Sequence, residues 1–253
     1  MKIGLVLSGG GARGIAHLGI IQALQEAEVN FDIISGASAG AIVGAFIAAG
    51  YSPKETCSFI EKTSLFNTFQ LSLNRRSLLK IEKGSKELLK YFPKDSFESL
   101  QIPLRISTTD IQKGKVKVYR KGNLIQPILA SCSIPVVFDP IKIGSRLLVD
   151  GGVLDNLPVN SIKKNVDKII ALHCNPIDPK FQVSNWKNLF ERSMMMTMTQ
   201  LAYTNRKKCD IFIEPPGLGK YSVFAFNKAK EIYQFGYDHA KSEIDQGILE
   251  KLK

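Results

Sequence analysis

Twice near its start the chain passes from an apolar stretch through a glycine-rich turn into a helical pattern: "KIGLVLSGGGARGIAHLG" from Lys2, then "FDIISGASAGAIVG" from Phe31. "KIGLVLS" is a continuous apolar run with β-branched residues, the pattern of a strand buried on both faces. Gly9 to Gly14 is a turn. Ile15 to Glu28 then places Ile15, Leu18, Ile21 and Leu24 on one broad helical face. "FDII" reads as a second buried strand and "AGAIVGAFIAAG" as a second, very apolar helix. Strand, helix, strand, helix at this spacing calls for a parallel α/β sheet with both faces covered.

The remaining chain gives no internal repeat, low-complexity tract or linker, so its 253 residues are expected to form one domain. From Tyr51 to about Leu100, helical fragments alternate with basic stretches. "IPLRISTTDIQ" and "KVKVYRKG" read as strands, possible partners of one another. A short helix, a proline-punctuated loop and a strand ending at Asp150 follow. "DKIIALHC" and "DIFIEPP" are further strands. Ser184 to Arg206 and Asn227 to Asp245 are helices, the second amphipathic. The first carries "SMMMTMTQL", whose methionines read either as ordinary core or as the pliable lining of a channel or lid.

Lys and Arg number 34 against 23 Asp and Glu, a formal charge of +11. Such a surface favours an anionic partner, nucleic acid or an anionic membrane, or is simply a solvated basic face. A nucleic-acid motif or interleaved basic-aromatic pattern is lacking, which places that partner last. Cys57, Cys132, Cys174 and Cys209 are far apart and form no CxxC pair, as expected of buried or half-buried thiols in a reducing compartment. The apolar run from Ile3 to Leu7 is too short for a secretory segment, and no run approaches the ~20 residues of a membrane span. A cytoplasmic protein, in peripheral contact with a membrane at most, is the expectation.

The two turns admit two chemistries. Gly9, Gly11 and Gly14 match G-x-G-x-x-G between a strand and a helix, the context of a dinucleotide-binding turn. That reading also needs an acidic side chain at the end of the second strand, where this chain has Ser35 and Gly36; Asp32 stands at the strand's beginning. Gly36-Ala37-Ser38-Ala39-Gly40 is G-x-S-x-G between strand and helix, the context of a nucleophile elbow. There the serine Oγ projects clear of the backbone, and the N–H of Ala39 lies at a helix N-terminus that favours negative charge. In a parallel sheet both turns share one edge, so Gly9 to Gly14 can aim N–H groups at a substrate oxyanion held by Ser38. Arg13 either anchors that loop or meets a phosphate.

A serine nucleophile needs a base. Asp150 ends "RLLVD" and precedes Gly151 and Gly152, so it can approach an elbow unobstructed, and burial there would raise its pKa. The alternative reading of Asp150 is a turn cap before glycine. The order Ser38, Asp150, then His173 or His239 would suit an α/β-hydrolase, but only one strand precedes the elbow strand here. His17, one turn into the first helix, reads as packing against or bracing the glycine loop.

Gly9-Gly10-Gly11-Ala12-Arg13-Gly14, the elbow Gly36 to Gly40, Ala130-Ser131-Cys132-Ser133-Ile134-Pro135 and Asp150-Gly151-Gly152, in this order, resemble the patatin-like phospholipase family. The resemblance covers Met1 to about Val159 and, more loosely, the rest. It implies a three-layer α/β/α sandwich with a mainly parallel sheet, 51–100 being a variable insertion or cap. It further implies a Ser-Asp dyad without histidine: Ser38 as nucleophile, Asp150 as base, and the glycine loop, chiefly Gly10 and Gly11, as oxyanion donor. The implied activity is acyl-ester hydrolysis of phospholipid or lysophospholipid through an acyl-serine, with no metal or organic cofactor. An acyltransferase or thioesterase on the same dyad, and a nucleotide-binding module using Gly9 to Gly14, are the alternatives. Many family members carry Asp immediately before the glycine loop; this chain has Ser8.

Overall fold

A computed structural model describes residues 1–62 and 78–253. It begins with β1 (Ile3–Leu7), a 3-10 turn (Gly11–Ile15), α1 (Ala16–Glu26), β2 (Ile33–Ala37) and α2 (Ala39–Ala48). Then come α3 (Pro53–Lys62), α4 (Leu78–Tyr91), the antiparallel pair β3 (Leu104–Asp110) and β4 (Lys115–Tyr119), and α5 (Ile125–Ser131). The expected helical insertion at 51–100 is thus represented by α3 and α4, while its portion at 63–77 lies outside the described residues. β5 (Ile141–Ile143), β6 (Arg146–Asp150), α6 (Gly152–Asp155), β7 (Lys168–Leu172), α7 (Trp186–Arg206), β8 (Ile211–Ile213) and α8 (Ala229–Asp245) complete the order.

The strands form one sheet in the order β5-β6-β3-β2-β1-β7-β8, with β4 also paired to β3. β1, β2, β3, β7 and β8 run parallel. The alternation of a strand's side chains then assigns the layers. Leu5, Leu7, Ile34, Ile170 and Leu172 face one cluster, built with α1, α2 and α8. Val6, Ile33, Ile169 and Ala171 face the other, with Leu157, Val159, Ile162 and Ala202 of α7. Two buried faces explain why these strands read as unbroken apolar runs. α2, buried along its whole length, carries Phe46, whose ring lies 4.5 Å from Phe59 of α3 and 5.4 Å from Tyr91 of α4. The chain is an α/β/α protein with a mostly parallel central sheet, as expected.

The strand ending at Asp150 departs from the sequence reading in two respects. It is the second half of a hairpin with β5, a strand too short to leave a pattern, and it runs antiparallel to β3. One edge of β3 is shared: Leu104 to Ser107 pair with β2, and Thr108 to Asp110 pair with β6. β2 climbs that edge to Ala37, opposite Ser107, and β6 descends it to Asp150, opposite Thr108. The two strands meet head on. The residue that leaves β2, Ser38, therefore arrives beside Asp150.

Candidate active site

Ser38 holds φ 51° and ψ −122°, a backbone region that costs a residue with a Cβ about 1–3 kcal/mol. The turn is closed by contact rather than by a cap. A methyl on Gly36 would collide with the Gly40 carbonyl, and one on Gly40 with the Leu7 carbonyl, so strand and helix pass closer than side chains allow. The Ala130–Pro135 block, which the sequence reading left without a role, brackets both turns. Ser131 Oγ accepts the Ser38 N–H at 2.8 Å and donates to the Ser107 carbonyl at 2.7 Å. The Ser133 carbonyl accepts the Asp150 N–H at 2.9 Å, and the Ser131 carbonyl accepts that of Gly151 at 3.4 Å. Replacing Ser131 by Ala strands a buried N–H at the elbow. The expected loss is about 1–3 kcal/mol of stability in urea denaturation, with a lower kcat for any reaction of Ser38.

Asp150 is buried. Its Oδ1 accepts the Gly152 N–H at 2.7 Å, whereas Oδ2 closes no hydrogen bond of ordinary geometry. Burial pushes this carboxyl up to about 6, against the opposing pull of the Ser38 hydroxyl and the Gly152 N–H. It is therefore mostly a carboxylate at neutral pH, with a raised basicity. Gly151 lies against the Ser107 carbonyl and Gly152 against Met198 and Asn156, which leaves no room for side chains beside the carboxyl.

The glycine turn sits against the elbow: a methyl on Gly9 would stand 2.9 Å from Ser38 Cβ, and one on Gly14 2.6 Å from Ala39 Cβ. Two asparagines that the sequence reading missed hold the Gly9 peptide. Asn156 Oδ1 accepts its N–H at 3.1 Å, and Asn175 Nδ2 donates to its carbonyl at 2.6 Å. Gly11 has φ 57°, and among the described residues the N–H groups of Gly10 and Gly11 meet no acceptor. Arg13 anchors the loop, its Nε donating to the Tyr221 carbonyl at 2.6 Å and its Nη2 lying 3.7 Å from Glu191.

Gly10, Gly11, Ser38 and Asp150 open together on a cavity of about 430 Å³. Its walls are Ile134, Pro135, Val136 and Val153 on one side and Phe190, Met194, Met195 and Met198 of α7 on the other. Met194, Met195 and Met198 thus wall the cavity, and Met195 and Met198 are at the same time buried in a small apolar cluster with Val223, so both readings of these methionines hold. Ala39 lines instead a smaller space of about 30 Å³ that shares Gly11, Ser38, Ile134 and Val223 with the first, and among the described residues its N–H meets no acceptor.

None of the three histidines lines the Ser38 cavity. His17 is fully buried, its Nε2 donates to the Ser8 carbonyl at 3.0 Å, and burial pushes its pKa down to about 4. It braces the root of the glycine turn as a neutral ring. His173 holds Glu214 through Nδ1 at 2.5 Å, and His239 is on α8. Asp32 accepts the Ile3 N–H at the opposite edge of the sheet, away from both turns.

Ser38 on its strand-to-helix turn and the buried Asp150 line one cavity at the end of the sheet, on an α/β/α frame. The model of the patatin-like phospholipase family matches residues 5–162, and the chain belongs to that family. It is 30% identical, over an alignment 285 positions long, to lysophospholipase nte1 of Aspergillus fumigatus, covering 99% of this chain and 18% of that one. It is 31% identical to mouse patatin-like phospholipase domain-containing protein 7, covering 99% of this chain and 21% of the relative. The chain thus spans about a fifth of the length of these curated relatives. Among solved structures, VipD from Legionella pneumophila superposes with a TM-score of 0.65 at 17% identity over 97% of this chain and 67% of the other, a likeness of fold.

Proposed function

We propose that the chain is a serine acyl hydrolase acting on phospholipid or lysophospholipid through Ser38 and Asp150. The observation that carries the reading is the placement of the Ser38–Asp150 pair on an apolar, methionine-walled cavity of about 430 Å³, a space suited to an acyl chain. The names of the fungal relatives, lysophospholipases, point to the same substrate class.

In this mechanism Asp150 Oδ2 takes the proton from Ser38 Oγ as the oxygen attacks the ester carbonyl carbon. The N–H groups of Gly10 and Gly11 receive the oxyanion. Collapse of the tetrahedral intermediate breaks the ester C–O bond, and Asp150 returns its proton to the departing alcohol. Water then attacks the acyl-serine, giving a proton to Asp150; collapse breaks the bond to Ser38 Oγ, which takes that proton back as the fatty acid leaves. Val136, 86% exposed, and Phe190, 44% exposed, stand at the cavity walls. Together with the net charge of +11 they suit docking at an anionic membrane, with the cavity facing the lipid.

Intact-mass analysis after treatment with a fluorophosphonate tests the reading. One adduct on the wild type and none on Ser38→Ala is the expected result. An unlabelled wild type, with and without lipid vesicles, would remove Ser38 from the chemistry.

A further inference from the structure

A second cavity, of about 340 Å³, adjoins the first, and Met195 belongs to the walls of both. Its chemistry is different. Arg13 of the glycine turn, Lys180, Arg192 of α7 and Lys220 all line it. Two carboxylates, Asp178 and Glu191, line it too, so cations exceed anions by two. Both carboxylates already accept backbone donors. Glu191 takes the Val223 N–H at 3.0 Å and the Ser222 hydroxyl at 3.0 Å, besides its pairing with Arg13. Asp178 Oδ1 takes the Lys180 N–H at 2.8 Å.

The cations are less completely answered. Among the described residues Lys180, Arg192 and Lys220 form no ion pair. Arg192 donates Nη2 to the Asp178 carbonyl at 2.7 Å and lies 4.8 Å from the Phe181 ring centroid. Lys220 is the most engaged of the three: its ammonium stands 4.9 Å from the Tyr221 ring and 5.1 Å from that of Phe235. It also meets the Tyr221 hydroxyl and the field of Glu231, so Lys180 and Arg192 carry the unanswered charge. Asn175, 1% exposed and also on this wall, is turned to the glycine turn: Nδ2 donates to the Gly9 carbonyl and Oδ1 lies buried against Gly10. The cavity therefore offers a surplus of positive charge and a planar guanidinium with unused donors.

We propose that this cavity binds a phosphate-bearing anion, a phosphate ester or free phosphate, at a site separate from the acyl cavity and built partly from the glycine turn. Arginine donors match phosphate oxygens in pairs, and lysine adds a point charge. The location gives such an occupant a mechanical hold on the first site. Tyr221 and Ser222 line the anion cavity, and the same segment accepts Arg13 Nε on the Tyr221 carbonyl and the Ala12 N–H on the Val223 carbonyl at 2.8 Å.

Isothermal titration of the full chain carrying Ser38→Ala, at ~0.15 M salt to screen diffuse surface charge, measures binding without turnover. Inorganic phosphate and glycerol 3-phosphate are titrated separately. Saturable one-to-one binding is expected, weakened about tenfold or more by Lys180→Glu and by Arg192→Gln. Lys121→Glu, which changes net charge as much as Lys180→Glu and more than Arg192→Gln but on an exposed lysine away from the cavity, should leave it unaltered. Tighter binding of glycerol 3-phosphate assigns the site to a lipid headgroup, and equal binding assigns it to free phosphate. No saturation with either anion overturns the proposal. So does equal weakening by all three variants, or binding by a folded Lys180→Glu protein that matches the parent. These outcomes are independent of whether Ser38 reacts with fluorophosphonate.

Discussion

Asp150→Asn is expected to abolish ester hydrolysis and, at neutral pH, to make the protein harder to unfold. The two effects share one cause. Burial lifts the folded-state pKa of Asp150 from 3.8 to about 6, so the folded protein binds this proton more tightly than the unfolded chain does. Ionising the group then costs folding free energy, fully present above about pH 6 and absent below about pH 4, of order 3 kcal/mol for a shift of roughly two units. Asparagine removes that cost and the base together. Turnover should fall by about 10²–10⁴-fold, the usual contribution of a positioned base. Tm should rise at pH 7.5 and match the wild type near pH 4. In the wild type, kcat/KM should decline as pH drops through about 6, where Asp150 takes up its proton. Thermal melts and pH–rate profiles of both proteins decide the matter. A variant that keeps a tenth of the activity would mean that another group receives the Ser38 proton.

Gly11→Ala is expected to cost about 10²–10³ in kcat, the measure of one lost oxyanion donor. Gly11 holds φ 57°, and a methyl there would collide with the Val223 carbonyl, which already fixes the turn by accepting the Ala12 N–H. The turn must move, and the two free N–H groups move with it. Gly122→Ala supplies the comparison: Gly122 also has a positive φ, 79°, but a methyl there meets nothing within 4 Å. Both substitutions carry backbone strain, and only the first should slow hydrolysis and fluorophosphonate labelling. Equal activity of the two variants would take Gly11 out of the site.

The sequence disclosed those features whose physics is local. Glycine at Gly36 and Gly40 records how closely strand and helix pass, and that closeness can be read from five consecutive letters. The apolar runs of β1, β2 and β7 record burial on both faces. What stayed hidden depends on contacts across the chain. Ser131, Asn156 and Asn175 are ordinary polar residues of a helix end and two loops, and only the fold brings them to the Ser38 N–H and the Gly9 peptide. The direction of β6 was equally hidden, because "RLLVD" spells the same strand whether its neighbour is parallel or antiparallel. The methionines of α7 were ambiguous for a different reason: an apolar side chain facing a cavity and one facing a core obey the same periodicity.

The head-on meeting of β2 and β6 has a consequence for the range of conditions in which the pair can work. The hairpin that carries Asp150 is held to β3 by the pairing of Thr108, Thr109 and Asp110, whereas the elbow belongs to a strand paired on both sides in the middle of the sheet. Local opening draws on the less extensively held elements first. Heat or denaturant that frays this short ladder separates base from nucleophile while the central strands stay folded. Inactivation then precedes melting and is reversed when the hairpin settles back.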